Sequence, residues 1–262
     1  MTEDERAEVM AKILILMTKA KTLGLLDGTQ HPSGFWAEEF VVPYDRFLKE
    51  GYQVDLATLG GETPYPDQSS LSKQTVMYTR PEGSPDNDEK NIAHYKEVIA
   101  SAPQLKNPLR IEDLTKEKLA EYAGVYISGG HGAMGDLPNS QDVTNVIRWI
   151  HDSGQLLAVV CHGGTALLNL RDSESNWPYA GYQISAFSHE EELVTDMAGL
   201  LPFVLQVELQ RLGAKYVKAD KIWGSKVVRD RQLITGQNPY SSTAIAEALI
   251  EALAKEKADK GA

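Results

Sequence analysis

The sequence predicts an α/β fold, a mainly parallel sheet sandwiched by helices, with a cap region inserted into one connection. Three observations carry that expectation. Short apolar runs recur at residues 12–17, 53–58, 124–128 and 155–160, the pattern of strands buried on both faces. Residues 35–48, 143–151, 200–212 and 243–254 space apolar side chains three and four apart, the period of a helix with one buried face. The two patterns alternate along the chain, and strands joined through helices lie parallel.

Taken in order, residues 12–17 (KILILM) give the first strand, and the helix at 35–48 returns the chain to the second at 53–58. Residues 60–115, rich in Pro, Asp, Ser and Lys, are too long for a simple connection. They are expected to form a cap or inserted subdomain over part of the sheet's carboxyl edge, with one helix near 91–100; the alternative is a wandering surface loop. Strands at 124–128 and 155–160 follow, with the helix 143–151 between them. Residues 226–228 and 232–235, separated by Arg229, Asp230 and Arg231, read as a hairpin before the last helix. The whole chain is expected to be one domain.

The 262 residues carry 37 acidic and 26 basic side chains, a formal net charge of −11, which argues against a protein built to grip nucleic acid or an anionic membrane. With 42% hydrophobic and 24% charged residues, the composition is that of a globular chain and excludes disorder and fibre. Neither a secretory leader nor a membrane span is expected. The single cysteine, Cys161, suits a reducing compartment, so the expected location is the cytoplasm.

Cys161 is where chemistry is expected. It follows the apolar run ending at Val160 and precedes His162, Gly163 and Gly164, so it occupies a strand–turn–helix corner at the carboxyl end of a central strand, where open α/β sheets place their ligands. The amides at the start of the following helix are expected to lower the thiol's pKa and to be able to hold an oxyanion. The competing reading is a buried small hydrophobe, the usual fate of a free cysteine. His162 supplies a general acid or base, expected to project away from the Cys161 side chain while flanking the same substrate. Gly129, Gly130, His131 and Gly132 are expected beside Cys161, with backbone amides as a second oxyanion donor. Gly130 to Gly135 also satisfies G-x-G-x-x-G, but Asp136 to Ser140 intervene before the next helical pattern, which argues against a dinucleotide site. Glu38 and Glu39 lie in an apolar segment early in the first helix. A carboxyl buried there stays protonated and can donate to a thiolate, while at least one of the two is expected to be a solvated surface residue. Glu190, Glu191 and Glu192 open another segment, where acids often only complement a helix dipole.

Assembled, these segments resemble the ThiJ/PfpI superfamily, flavodoxin-like cousins of the class I glutamine amidotransferases, and within it the heat-shock-protein-31-like branch of glyoxalase III and chaperone proteins. The matching segments are Ser33 to Glu39 with Pro43, Gly60 and Gly61 with Pro64 to Ser69, Gly129 to Met134, Val160 to Gly163, and Leu233 to Pro239. The resemblance implies Cys161 as nucleophile, His162 as its histidine, Glu39 as the supporting glutamate and Glu192 as the third triad acid. It implies oxyanion donation by the Gly130 and His162 amides, with Gly129, His131 and Gly163 completing the oxyanion and substrate-binding set. The implied activity is conversion of methylglyoxal, or a similar small aldehyde or carbonyl compound, to lactate through a hemithioacetal on Cys161, without cofactor or metal, in a homodimer. Gly164, where proline is usual, and Gly135, where a large aromatic is usual, depart from the family's pattern, and the second is expected to widen the pocket. One rival is another cysteine-dependent amidase, peptidase, deglycase or hydratase, for which His189 and Glu191 imitate the amidotransferase His-x-Glu pair. The other is a stress chaperone whose exposed Cys161 thiol senses oxidants.

Overall fold

Successive residues of a strand point to opposite sides, so an uninterrupted apolar run needs a core on each face. The strand Lys12–Leu16 (β1) has both: Ile13 and Ile15 enter one core, Leu14 and Leu16 the other. The structure, a computed structural model, describes residues 10–80, 84 and 86–261. Beside β1 lie Gln53–Thr58 (β2), Leu109–Arg110 (β3), Tyr122–Ile127 (β4), Leu156–Val160 (β5), Val227–Asp230 (β6) and Leu233–Gly236 (β7), in the order β6-β7-β5-β4-β1-β2-β3. Every neighbouring pair is parallel except the β6/β7 hairpin. The result is a mainly parallel, flavodoxin-like sheet flanked by helices.

On one face, Phe40, Val41 and Phe47 of the helix Ala37–Lys49 (α1) share a core with Ile245 and Leu249 of the C-terminal helix, Ser242–Gly261. On the other, Val143, Val146, Ile147 and Ile150 of the helix Gln141–Ser153 pack on Val125, Ile127, Leu157 and Val159. Ser140 caps that helix by accepting from the Val143 amide, and Gly154, at φ 72°, ends it in the left-handed region.

Two expectations about helices are corrected. The helix expected over 200–212 is regular only at Leu205–Arg211, because Pro202 breaks the first part of the segment. The segment after the cysteine, Cys161–Leu167, winds as a 3-10 helix rather than an α-helix. Residues 60–115 are not a wandering loop. They form the helices Lys73–Thr79 and Asp88–Ser101 and donate β3 to the sheet, and Asp67, Ser69 and Gln74 form one wall of a cavity at the sheet's carboxyl edge. Among the described residues, no helix is long and apolar enough to cross a membrane.

Candidate active site

β5 ends at Val160, and Cys161 turns the chain with φ 54°, a left-handed conformation that costs a non-glycine residue roughly 1–2 kcal/mol. The turn puts the thiol on a cavity of about 320 Å³ whose walls include Trp36, His131, His162, Phe187, Thr195, Met197 and Trp223. Backbone crowding explains the glycines around it. A Cβ on Gly130, whose φ is 101°, would stand 2.4 Å from the Gly34 carbonyl oxygen, and one on Gly129 would stand 2.9 Å from Cys161 Cβ. The amides of Gly130 and His162 both face the sulfur and favour its anion.

Contrary to the expectation that His162 points away, its Nδ1 lies 3.3 Å from Cys161 Sγ. The left-handed φ at Cys161 and the tight 3-10 winding bring the two successive side chains to one side. His162 Nε2 then donates to Glu192 Oε1 at 2.5 Å, and the other oxygen of the same carboxylate accepts from His131 Nε2 at 3.0 Å. Burial, and next the neighbouring His131, push the His162 pKa down to about 4, so at neutral pH the ring is an uncharged base. Burial pushes the Glu192 carboxyl up, but the two imidazoles outweigh it and hold it well below the usual carboxylate range. The carboxylate thus fixes His162 with Nε2–H toward itself and the Nδ1 lone pair toward the thiol.

Glu39 approaches from α1. Pro43, four residues on, has no amide to give the Glu39 carbonyl, and the Tyr126 hydroxyl of β4 donates to that oxygen at 2.6 Å instead. This ties the first turn of α1 to the central sheet beside Cys161. Glu39 Oε2 accepts from the Gly129 amide at 3.0 Å, while Oε1 is buried without an N–H or O–H partner among the described residues. Burial pushes the carboxyl up to about 8, so it is protonated at neutral pH. A protonated carboxyl suits this position, accepting from Gly129 through one oxygen and donating toward the sulfur through the other. For Cys161 the expected lowering is overturned: burial pushes the thiol well above its ordinary value against the two amides. The short 3-10 segment has no macrodipole comparable to that of an α-helix, and only 4% of Cys161 is exposed.

The three adjacent acids separate by surroundings. Glu190 is exposed and pairs with Lys218 at 3.0 Å. Glu191 is wholly buried, closing a capping box with Ser188 and accepting from the Trp223 amide, Gln237 Nε2 and Asn238 Nδ2. That network gives the Leu233 to Pro239 segment a structural role at the site. It holds Trp223, at φ 62°, over the cavity against Phe187, whose ring also meets His162 at 4.6 Å. Nothing in the sequence singled out Trp223. His189 is exposed and Glu191 is locked in its cap, so the two do not make a His-x-Glu pair. Glu38, rather than being a solvated surface residue, is half-buried beside Asp88 and pushed up to about 8, first by burial. Gly163 packs against the carbonyls of Ile127 and Ser128. Gly135 faces Ala20, Thr22 and Leu23 instead of the cavity, so the missing aromatic does not widen it. One donor atom each from His131, His162 and Glu192 lies within 4.8 Å of the others, a spacing that can hold a metal ion; the hydrogen bonds above already account for the cluster.

A thiol on a strained corner, with imidazole and carboxylate in line at the carboxyl edge of a parallel sheet, defines an α/β protein of the cysteine-elbow class. The chain belongs to the ThiJ/PfpI-like family, whose profile, described as ThiJ/PfpI family-like, matches residues 31–190. It is similar to the protein named protein/nucleic acid deglycase HchA from Pseudomonas aeruginosa (strain UCBPP-PA14), 27% identical over 258 residues, which cover 93% of this chain and 82% of that one. The protein of the same name from Staphylococcus aureus (strain Newman) is 28% identical over 239 residues, 88% of this chain and 76% of that one. Among solved structures, the Rapid Encystment Protein 24 kDa of Francisella tularensis superposes with a TM-score of 0.75 at 26% identity, covering 93% of this chain and 99% of that one. Glyoxalase III from Candida albicans shares the fold, with a TM-score of 0.72 at 24% identity over 93% of this chain and 97% of that one.

Proposed function

We propose that this protein is a Cys161-dependent, glutathione-independent glyoxalase of the lactate-forming (dehydratase) type, acting on methylglyoxal or a similar 2-oxoaldehyde. The observation that carries the reading is the line from Cys161 Sγ through His162 Nδ1 and Nε2 to Glu192, with the protonated Glu39 on the sulfur's other flank. His162 takes the thiol proton, and the thiolate adds to the aldehyde carbon; the oxyanion formed faces the Gly130 and His162 amides and takes the proton, giving a hemithioacetal. His162 then removes the hydrogen on that carbon while the neighbouring ketone oxygen is protonated, giving an enediol. Reprotonation of the second carbon leaves a thioester of lactate on Cys161, the first carbon having been oxidised and the second reduced. Water releases lactate and regenerates the thiol.

A second reading has the same chemistry act on carbonyl adducts of amines or guanidines. Two observations favour it: the relatives carry the name deglycase, and the cavity of about 320 Å³ is several times the size of methylglyoxal. Purified protein and its Cys161→Ala variant, assayed for lactate from methylglyoxal without glutathione and, in parallel, from preformed amine adducts, test both. Turnover surviving in Cys161→Ala overturns the mechanism, and lactate from adducts only after their spontaneous dissociation favours the first reading.

A further inference from the structure

In the resting site His162 has no nitrogen open to solvent. Its Nδ1 serves Cys161 and its Nε2 serves Glu192, and the ring is wholly buried. Hydrolysis of a thioester needs a base that can touch a water molecule in the cavity. Asp67 is occupied, its oxygens accepting from the Ser69 amide and the Ser33 hydroxyl. Asp196 lies at the rim, 4.0 Å from His31.

His131 has what His162 lacks. Its Nε2 donates to the second oxygen of the carboxylate that orients His162, and its ring centroid lies 4.0 Å from that of His162. Its bond to Glu192 uses Nε2 and not Nδ1, and the ring lines the cavity with 9% of its side chain exposed. It directly follows Gly130, whose amide faces Cys161, and so stands beside the place where the thioester oxygen is held. Phe187, edge-on at 5.7 Å, fixes the plane of the ring.

Resting on the proposed glyoxalase reading, we infer that His131 is a second general base, dedicated to hydrolysis, and that Glu192 orients two imidazoles for two successive half-reactions. In the first, His162 handles the protons of addition and isomerisation. In the second, a water in the cavity gives a proton to His131 Nδ1 and its oxygen adds to the thioester carbonyl. The C–S bond then breaks with its electron pair going to sulfur, and His131 returns the proton to the departing thiolate. Thioester and water become carboxylic acid and thiol, with no other reactant.

The test is intact-mass spectrometry of quenched reactions with methylglyoxal, alongside lactate release, on wild type, His131→Gln and His131→Ala. Gln keeps an N–H for Glu192 but cannot act as a base. The expected result in His131→Gln is a Cys161 adduct that forms much faster than it decays, is released by hydroxylamine as a thioester is and a hemithioacetal is not, and persists while lactate release is down by about 100-fold or more. Free imidazole is expected to restore release in His131→Ala, where the cavity left by the ring admits it. Unchanged turnover, or loss of adduct formation in step with loss of turnover, overturns the assignment. The latter outcome makes His131 only a support for Glu192 and His162. A wild-type enzyme that forms neither adduct nor lactate overturns the glyoxalase reading itself, and this inference with it.

Discussion

Replacing Glu39 by Gln separates what this carboxyl costs the fold from what it gives the site. In the folded chain burial holds the group at about 8 against an ordinary 4.5. Below pH 4.5 the group is protonated in both folded and unfolded chains and has no effect. Between 4.5 and about 8 the unfolded chain ionises while the folded one keeps its proton, so stability falls by about 1.4 kcal/mol per pH unit; above 8 the loss levels off near 5 kcal/mol. Gln retains an oxygen for the Gly129 amide and cannot ionise, so this slope is absent from the variant. Urea unfolding of both proteins at pH 5.5 and 7.5 measures the effect, because titrating groups remote from Glu39 cancel in the difference. The advantage of Glu39→Gln is expected to grow by roughly 2.7 kcal/mol between these two pH values, about 5–10 °C in Tm. A difference that stays flat across the interval refutes the buried, protonated Glu39 on which the thiolate's support depends.

Glu191→Ala removes the acceptor of five buried donors, Asn238 Nδ2 keeping the Gly224 carbonyl as a second partner, and is expected to cost about 3 kcal/mol or more in denaturant unfolding. Its neighbour Glu192→Gln keeps only one oxygen for two buried imidazole N–H groups, and is expected to cost about 1–3 kcal/mol and to lower kcat by about 100-fold, read in the lactate assay. Gly130→Ala forces a Cβ to 2.4 Å from the Gly34 carbonyl oxygen in a left-handed conformation; a loss of about 3 kcal/mol, with activity falling alongside, is expected from thermal melts and assays. Because burial holds His162 at about 4, its base form is lost only as pH falls through that value. The acid limb of kcat/KM is therefore expected well below the 6.5 of an ordinary imidazole, and a limb near 6.5 contradicts the sealed position of His162.

The sheet was legible because a strand covered on both faces announces itself in a few consecutive residues, as in KILIL and LLAVV. The corner at Cys161 was legible for a related reason: strand, cysteine and small residues are contiguous. What the sequence hides is set by contacts between distant segments. Glu190, Glu191 and Glu192 are alike in the chain, and only Lys218, the Trp223–Gln237–Asn238 group and the two imidazoles tell them apart. The direction of the Cys161 shift was misread locally, since amides near the corner are visible in the sequence while burial against Glu39 is not. His162 turned toward the thiol for the same kind of reason: a positive φ at a cysteine leaves no mark in the residue types.

The proposed glyoxalase reaction requires Cys161 to carry the substrate covalently through turnover. Rapid-quench intact-mass spectrometry of the wild-type protein during glutathione-free methylglyoxal conversion tests it most directly. The expected result is an adduct localised to Cys161 that appears no more slowly than lactate and decays at the rate of lactate release. Steady lactate production with Cys161 unmodified throughout, or continuing undiminished in Cys161→Ala, contradicts it.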